Sequence, residues 1–241
     1  YSGDYLAGAQ GAFAVMTALW HRDRTGEGQL IEIAQAENAA AMFTQAIMDY
    51  SLNGNVQGAM TNRDIDGRSP SGVYPTVSPG TAATSDDRWI AISIDTDEQW
   101  SAFGQAIGSP PWATDPRFAA NAGRLEHHAE IDAHIAAYTA TQDDYDLMHR
   151  LQAAGVAATP VLEASRMFDD PHLRARDFFK TQTQPASGAY EYVGPLWKFP
   201  GTPVEYLQPP VMFGEHNDYV YRDVLEVSDA EFEAFDRARI A

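Results

Sequence analysis

Between Leu6 and Trp20, apolar side chains return at helical spacing while Ala and Gly fill the positions between them. Leu6, Phe13, Met16, Leu19 and Trp20 carry the pattern. Ala7, Gly8, Ala9, Gly11, Ala12 and Ala14 keep the first half slim, so backbone or ligand can approach it closely. Arg22 and Arg24 place positive charge near the C-terminal end, and Thr25-Gly26-Glu27-Gly28 stops the helix. Leu30-Ile31-Glu32-Ile33 then reads as a short strand, and Ala36–Leu52 as a second helix ended by Asn53-Gly54. Helix, strand and helix in immediate succession predict a mixed α/β fold.

The stretch from Asn55 to Ser71 is polar and Gly-rich, as a linker or functional loop would be. Residues 72–76 and 88–94 read as strands around a turn of Ser, Pro, Gly and Asp. Thr96 and Gln99 have capping-box spacing and open a helix running to about Ile107. Two more helices are expected at Ala119–Tyr138 and Asp143–Ala154, followed by a strand from Val156 to Val161. A short helical stretch at Asp170–Phe178 precedes loops and strands rich in Pro and aromatics. Ser228 with Glu231 caps the last helix ahead of Phe232 and Phe235. The expected organisation is a first segment at 1–54, a linker at 55–71, a small α/β domain at 72–165 and a C-terminal segment at 166–241.

Composition narrows the chemistry by exclusion. Without cysteine there are no disulfides, no Cys-based zinc sites and no thiol nucleophile, so covalent catalysis needs an oxygen or nitrogen nucleophile. A formal net charge of −18 speaks against nucleic acid as a partner, because phosphate binding needs a clustered basic surface. The longest apolar run, Ala36–Met48, is interrupted by Glu37, Asn38, Thr44 and Gln45, so no membrane-spanning segment is read and a soluble, cytoplasmic protein is expected. The chain opens Tyr1-Ser2-Gly3-Asp4 without an initiator methionine and enters a helix at once, as the middle of a longer protein would.

Three groups of residues invite a chemical reading. Asp4 stands at or just before a helix start, where a carboxylate favours the helix and is itself kept ionised, as a nucleophile must be. Capping alone would account for it. His127, Glu130 and His134 share one helical face, yet they match no zinc motif with two His at i, i+4, and they read as a solvated polar face. Gly67-Arg68-Ser69-Pro70-Ser71-Gly72 is a segment able to close over a ligand, or a plain surface loop. These residues by themselves do not reach a reaction.

A longer constellation does. Gly3-Asp4-x-x-x-Gly8 leads an Ala-rich helix that ends Ala18-Leu19-x-His21-Arg22-x-Arg24-Thr25-Gly26-x-Gly28-Gln29, followed by Ala36-Glu37. Gly72-Val73-Tyr74-Pro75, Asp97-x-x-Trp100, Asp115-Pro116-Arg117-Phe118 with Arg124, and Leu151-x-Ala153-Ala154-Gly155-Val156 follow in order. Asp170-Pro171-His172-Leu173-x-Ala175-Arg176 and Gly214-Glu215-His216-Asn217 complete it. In these motifs the chain resembles the family III CoA-transferases, the group of formyl-CoA and carnitine CoA-transferases with α-methylacyl-CoA racemases as close relatives.

The resemblance implies an α/β fold in which this chain is the C-terminal portion: the end of a Rossmann-like large domain plus a small α/β domain, in an interlocked dimer. It implies Asp4 as the catalytic nucleophile, passing through a mixed anhydride and an aspartyl-CoA thioester to an acceptor acid. It also implies coenzyme A as substrate, with Gln35, Gly67, Arg68 and Gly72 as candidate contacts and no metal. The implied partners are an acyl-CoA, a small carboxylic acid, a second copy of the chain and a missing N-terminal half of the same protein. Two other readings remain. In a racemase the same Asp would pair with a His, but His21 follows Asp4 by roughly 25 Å of helix, too far to be that partner. In a non-catalytic dimerisation half, Asp4 would be only a helix residue.

Overall fold

Residues 2–58, 62–64, 67–78, 87–203 and 211–237 are described by a computed structural model. Helices α1 (Ser2–Thr25), α2 (Gln35–Ala41) and α3 (Thr44–Asn53) come first. Strands β1 (Ser71–Pro75) and β2 (Trp89–Ser93) lead into α4 (Asp97–Ala106), α5 (Asn121–Glu126), α6 (His128–Thr139) and α7 (Asp144–Ala153). Strand β3 (Ala157–Pro160), the short helices α8 (Ala164–Met167) and α9 (Pro171–Ala175), strands β4 (Phe179–Gln184) and β5 (Gly188–Val193), and α10 (Asp229–Arg237) complete the order. The fold is mixed α/β, and no described helix is long and apolar enough to cross a membrane.

Several elements depart from expectation for local reasons. Residues 30–33 form no strand: Leu30 is 92% exposed, and no described strand lies alongside to complete a ladder. The single helix expected over Ala36–Leu52 is two, interrupted at Met42-Phe43. There the Thr44 hydroxyl donates to the Ala41 carbonyl at 2.6 Å, a local bond that competes with the helical ladder. The helix expected over 119–138 is likewise α5 and α6, with the His128 ring 3.0 Å from the Leu125 carbonyl at the break. The turn expected between β1 and β2 falls largely on 79–86, outside the described residues, as does part of the 55–71 linker.

A sheet runs in the order β1-β2-β3, and β4 pairs with β5. Ile94 N–H donates to the Pro70 carbonyl and Thr76 N–H to Arg88, so β1 and β2 are antiparallel. The β4–β5 hairpin is antiparallel from Phe179↔Val193 to Gln184↔Gly188, and Gly188 supplies the positive φ of +87° at its turn.

The chain divides into two compact units, Tyr1–Val73 with Ser93–Ala133 and Tyr74–Ile92 with His134–Ala241. In the first, Ile94, Trp100, Phe103, Phe118 and Ile131 are buried. Trp100 stacks on Phe103 at 5.7 Å between centroids and meets Phe118 edge-on at 6.4 Å. The Thr96 hydroxyl caps α4 by accepting from Gln99 N–H at 3.2 Å. The Gln99 side chain reaches back to Asp95 N–H at 2.8 Å, one residue beyond the usual capping box. In the second unit, Ile90, Ile92, Ile135, Leu147, Leu151 and Val156 are buried and α7 packs on β3. Asp143 caps α7 through Tyr145 and Asp146 N–H at 3.0 and 3.1 Å. The buried Asp144 carboxylate takes both arms of Arg166, at 2.6 and 3.0 Å.

Helices α1 to α3 differ from this. Neither α2 nor α3 has a buried residue, and Phe13 is 71% exposed and Trp20 66%.

Candidate active site

Helix α1 holds Asp4 in its first turn and Arg22 and Arg24 in its last, a distribution that matches the helix dipole at both ends. Gly26 follows with φ +79° and closes the helix through its N–H on the Arg22 carbonyl at 2.7 Å. Among the described residues, the Asp4 carboxylate caps no backbone N–H of its own helix. Its Oδ1 instead accepts from the Gln35 side-chain amide, brought there by the first residue of α2, which packs on α1.

The small residues of α1 make that approach possible. A Cβ added to Gly3 would lie 3.7 Å from the Gln35 amide, and one added to Gly11 would lie 3.6 Å from Ile33. Gly8 is different. It lies one turn beyond Asp4 on the same face, and nothing comes within 4 Å of where its Cβ would be. The exposed carboxylate therefore stands beside bare, open helix, held from one side by an amide donor.

Gly67, Arg68 and Gly72 form a second group, in the loop before β1 and in β1 itself. Gly67 adopts φ +74°, a conformation that side chains other than glycine's seldom take. The loop is fastened from α5. Asn121 donates to the Gly67 carbonyl at 2.8 Å and accepts from Ser69 N–H at 3.1 Å. Arg124, fully buried, donates through Nε to the Ser69 carbonyl at 2.6 Å and through Nη1 to the Phe118 carbonyl at 3.0 Å. Its Nη2 bonds Asp97 at 2.7 Å, and its guanidinium lies 5.5 Å from the Trp100 ring centroid. Arg68 and Gly67 line a recess of about 300 Å³ with Arg63, His128 and Asp132. Asp4 and Gln35 do not line that recess, so the expected site residues fall into these two groups.

Asn121 carries no motif of its own, and Asp97 appeared only in Asp97-x-x-Trp100, a pattern that says nothing of its bond to Arg124; sequence reasoning missed both roles. Arg124 appeared only as the basic residue after Asp115-Pro116-Arg117-Phe118, a pattern that says nothing of burial. Of the polar face on α6, Glu130 accepts a guanidinium from Arg117 at 2.9 Å, and His127 lies 3.7 Å from the same carboxylate. Among the described residues no cluster of His, Asp and Glu is arranged to hold a metal.

Comparison with known proteins gives these groups a context. Residues 1–217 match the model of CoA-transferase family III. The succinyl-CoA–D-citramalate CoA-transferase of Chloroflexus aurantiacus is 30% identical over 240 residues, covering 99% of this chain and 57% of that protein. The formyl-CoA:oxalate CoA-transferase of Afipia carboxidovorans is 26% identical over 245 residues, covering 95% of this chain and 57% of that one. Among solved structures, a CAIB/BAIF family protein from Brucella suis has the same fold, with a TM-score of 0.76 at 23% identity, over 92% of this chain and 55% of that one. The chain thus spans about half the length of the relatives it matches. With the motifs in order from Gly3-Asp4 to Gly214-Glu215 and the family model matched from residue 1 to 217, this chain belongs to CoA-transferase family III.

Proposed function

We propose that the protein transfers coenzyme A from an acyl-CoA thioester to a small dicarboxylic acid, with Asp4 as the nucleophile. The observation that carries this reading is the Asp4 carboxylate at the start of α1, held through Oδ1 by Gln35 beside the open face at Gly8. Dicarboxylic acids are named for both curated relatives above, whose succinyl, citramalate and oxalate groups share a second carboxylate.

The steps follow from the chemistry of a carboxylate nucleophile. Asp4 attacks the acyl carbon, the C–S bond breaks, and CoA leaves as thiolate with a mixed anhydride on the enzyme. The thiolate attacks the Asp4 carbonyl carbon and expels the donor acid, leaving an aspartyl-CoA thioester. The acceptor carboxylate displaces CoA from that thioester to form a second anhydride. The thiolate then attacks the acceptor's acyl carbon, forming acceptor-CoA and freeing Asp4. Gln35 fixes one oxygen so that the other points at substrate, and its N–H remains to polarise the Asp4 carbonyl when that carbon is the electrophile. The loop at Gly67–Gly72 covers the acyl end of the substrate. The exposed apolar faces of α1 to α3 support a homodimer as the working form.

Mass spectrometry of the intact protein after incubation with succinyl-CoA tests the reading. A CoA adduct on Asp4, trapped by hydroxylamine and absent in Asp4→Asn, is the expected result, and transfer in that variant should fall by at least about a thousandfold. Gln35→Ala should lower turnover by about ten- to a hundredfold, the worth of one hydrogen bond to a charged group. Exchange of an α-proton in deuterated water with no adduct would instead make the protein a racemase. Neither signal would leave a structural role.

A further inference from the structure

In a chain without cysteine, lysine is the side chain most open to lasting acylation by a thioester. The 241 residues include two lysines, Lys180 and Lys198, and both line one recess of about 230 Å³ in the second unit. Asp177, Trp197 and Phe199 stand around them. Lys180 belongs to β4, and Lys198 to the stretch after β5. That stretch is tied back by Gly194, whose N–H donates to the Phe178 carbonyl at 2.7 Å.

The two amines are not equivalent. Lys180 Nζ donates to the Asp177 carboxylate, and its stem lies over Gly194, where an added Cβ would come 3.0 Å from its Cγ. An amine held by a carboxylate must leave that bond before its lone pair can attack. Lys198 is exposed and makes no hydrogen bond or ion pair with any described residue. Its charge reaches Asp177 only through space. The Asp177 carboxyl is held below its ordinary 3.8 by the Lys180 hydrogen bond first, against burial, and then by the charges of Lys180 and Lys198. Two cations thus face one carboxylate, a local excess of positive charge in a chain whose formal charge is −18. An acyl-CoA is polyanionic, and such an excess favours its approach.

We infer that Lys198 is a modification site, acylated directly by acyl-CoA, while Lys180 in the same recess is spared by Asp177. The inference takes its acyl donor from the CoA-transfer reading above. Lys198 Nζ in its free-base form attacks the acyl carbon, the C–S bond breaks, and CoA leaves as thiolate. The nitrogen sheds its proton to the thiolate through solvent, and a stable amide remains. With a succinyl donor the side chain passes from one positive charge to one negative. One cation then faces two carboxylates, and the recess changes sign. Accumulated acyl-CoA in this way marks the protein that consumes it, at a side chain other than Asp4.

Incubation of the intact protein with succinyl-CoA, followed by hydroxylamine treatment and peptide mass mapping, tests it. An amide on Lys198 survives hydroxylamine, whereas a thioester or anhydride on Asp4 does not, so each adduct is read separately. With the urea-unfolded chain as reference for intrinsic reactivity, Lys198 should be succinylated about three- to fivefold faster than Lys180. Asp177→Asn, which suits the φ of +53° at that position, should release Lys180 and bring the two rates together. Lys198→Arg should keep the Asp4 adduct and lose most of the hydroxylamine-stable one. Equal rates in wild type, a faster Lys180, or a Lys180 rate unmoved in Asp177→Asn would each overturn the inference. So would the absence of any lysine amide under conditions that acylate the unfolded chain. A protein that carries the Lys198 amide without an Asp4 adduct keeps this inference and refutes CoA transfer through Asp4.

Discussion

At the scale of single residues, the second unit holds a titratable pair whose behaviour can be read from its contacts. Tyr145 donates to Asp170 at 2.8 Å, and Asp170 also accepts from Leu173 N–H at 2.7 Å. Burial acts to raise the Asp170 carboxyl, but the Leu173 N–H and the Tyr145 hydroxyl outweigh it and hold the group below its ordinary 3.8. Stability from these bonds is present above that value and is lost as pH falls through the lowered one. Tyr145→Phe should therefore move the midpoint of acid unfolding to higher pH. The Tyr145 phenol itself is pushed up to about 12, by burial first and then by Asp170. Its contribution is complete below the unfolded value of 10.0 and lost between there and about 12, a decline in denaturant midpoint that Tyr145→Phe should lack. In the first unit Arg124 is costly to remove, since it serves three backbone carbonyls, a carboxylate and an aromatic face from a fully buried position. Arg124→Ala should cost about 3–5 kcal/mol in chemical denaturation, and Arg124→Lys should restore only part of it.

Among the elements, α5 contains an inversion of a familiar rule. Gly to Ala inside a helix ordinarily stabilises by up to about 1 kcal/mol. At Gly123 the added Cβ would lie 2.0 Å from the Arg117 carbonyl oxygen, which is backbone and cannot swing aside. Gly123→Ala should lower the melting temperature, and Gly108→Ala is no control for it because that glycine has φ +89°. Thr96→Ala should cost about 0.5–2 kcal/mol by uncapping α4. Elements of this kind were legible where a cap or stop is written in adjacent residues: Gly26 after α1, Thr96 before α4, Ser228 with Glu231 before α10. They were illegible where the decision lies in one local bond, as at Thr44, or in a missing neighbour strand, as at residues 30–33. The proposed role of Asp4 as nucleophile comes only from the resemblance; composition and spacing alone left it a helix residue. That Gln35 holds it could not be read from spacing, because the two stand 31 residues apart and meet only through the packing of α2 on α1.

Buried aromatic and aliphatic side chains among the described residues concentrate after residue 70, whereas α1, α3 and the break between α2 and α3 present Phe13, Trp20, Ile47 and Phe43 to solvent. Such a surface associates in water. The 241-residue chain alone should elute from a sizing column well above its 26.4 kDa and should bind a hydrophobic dye. Phe13→Asp with Trp20→Asp should reduce both signals while leaving the far-ultraviolet spectrum unchanged. A variant that remains associated would place the contact on another face.

The fastening of the loop before β1 bears on how freely its sequence can drift. Asn121 and Arg124 grip the loop by the Gly67 and Ser69 carbonyls and the Ser69 N–H, atoms that every amino acid other than proline possesses. Its path is thereby uncoupled from the side chain at position 68. A descendant could exchange Arg68 for a neutral or apolar residue while the loop stays where it was, because none of these three anchoring bonds involves the side chain at 68.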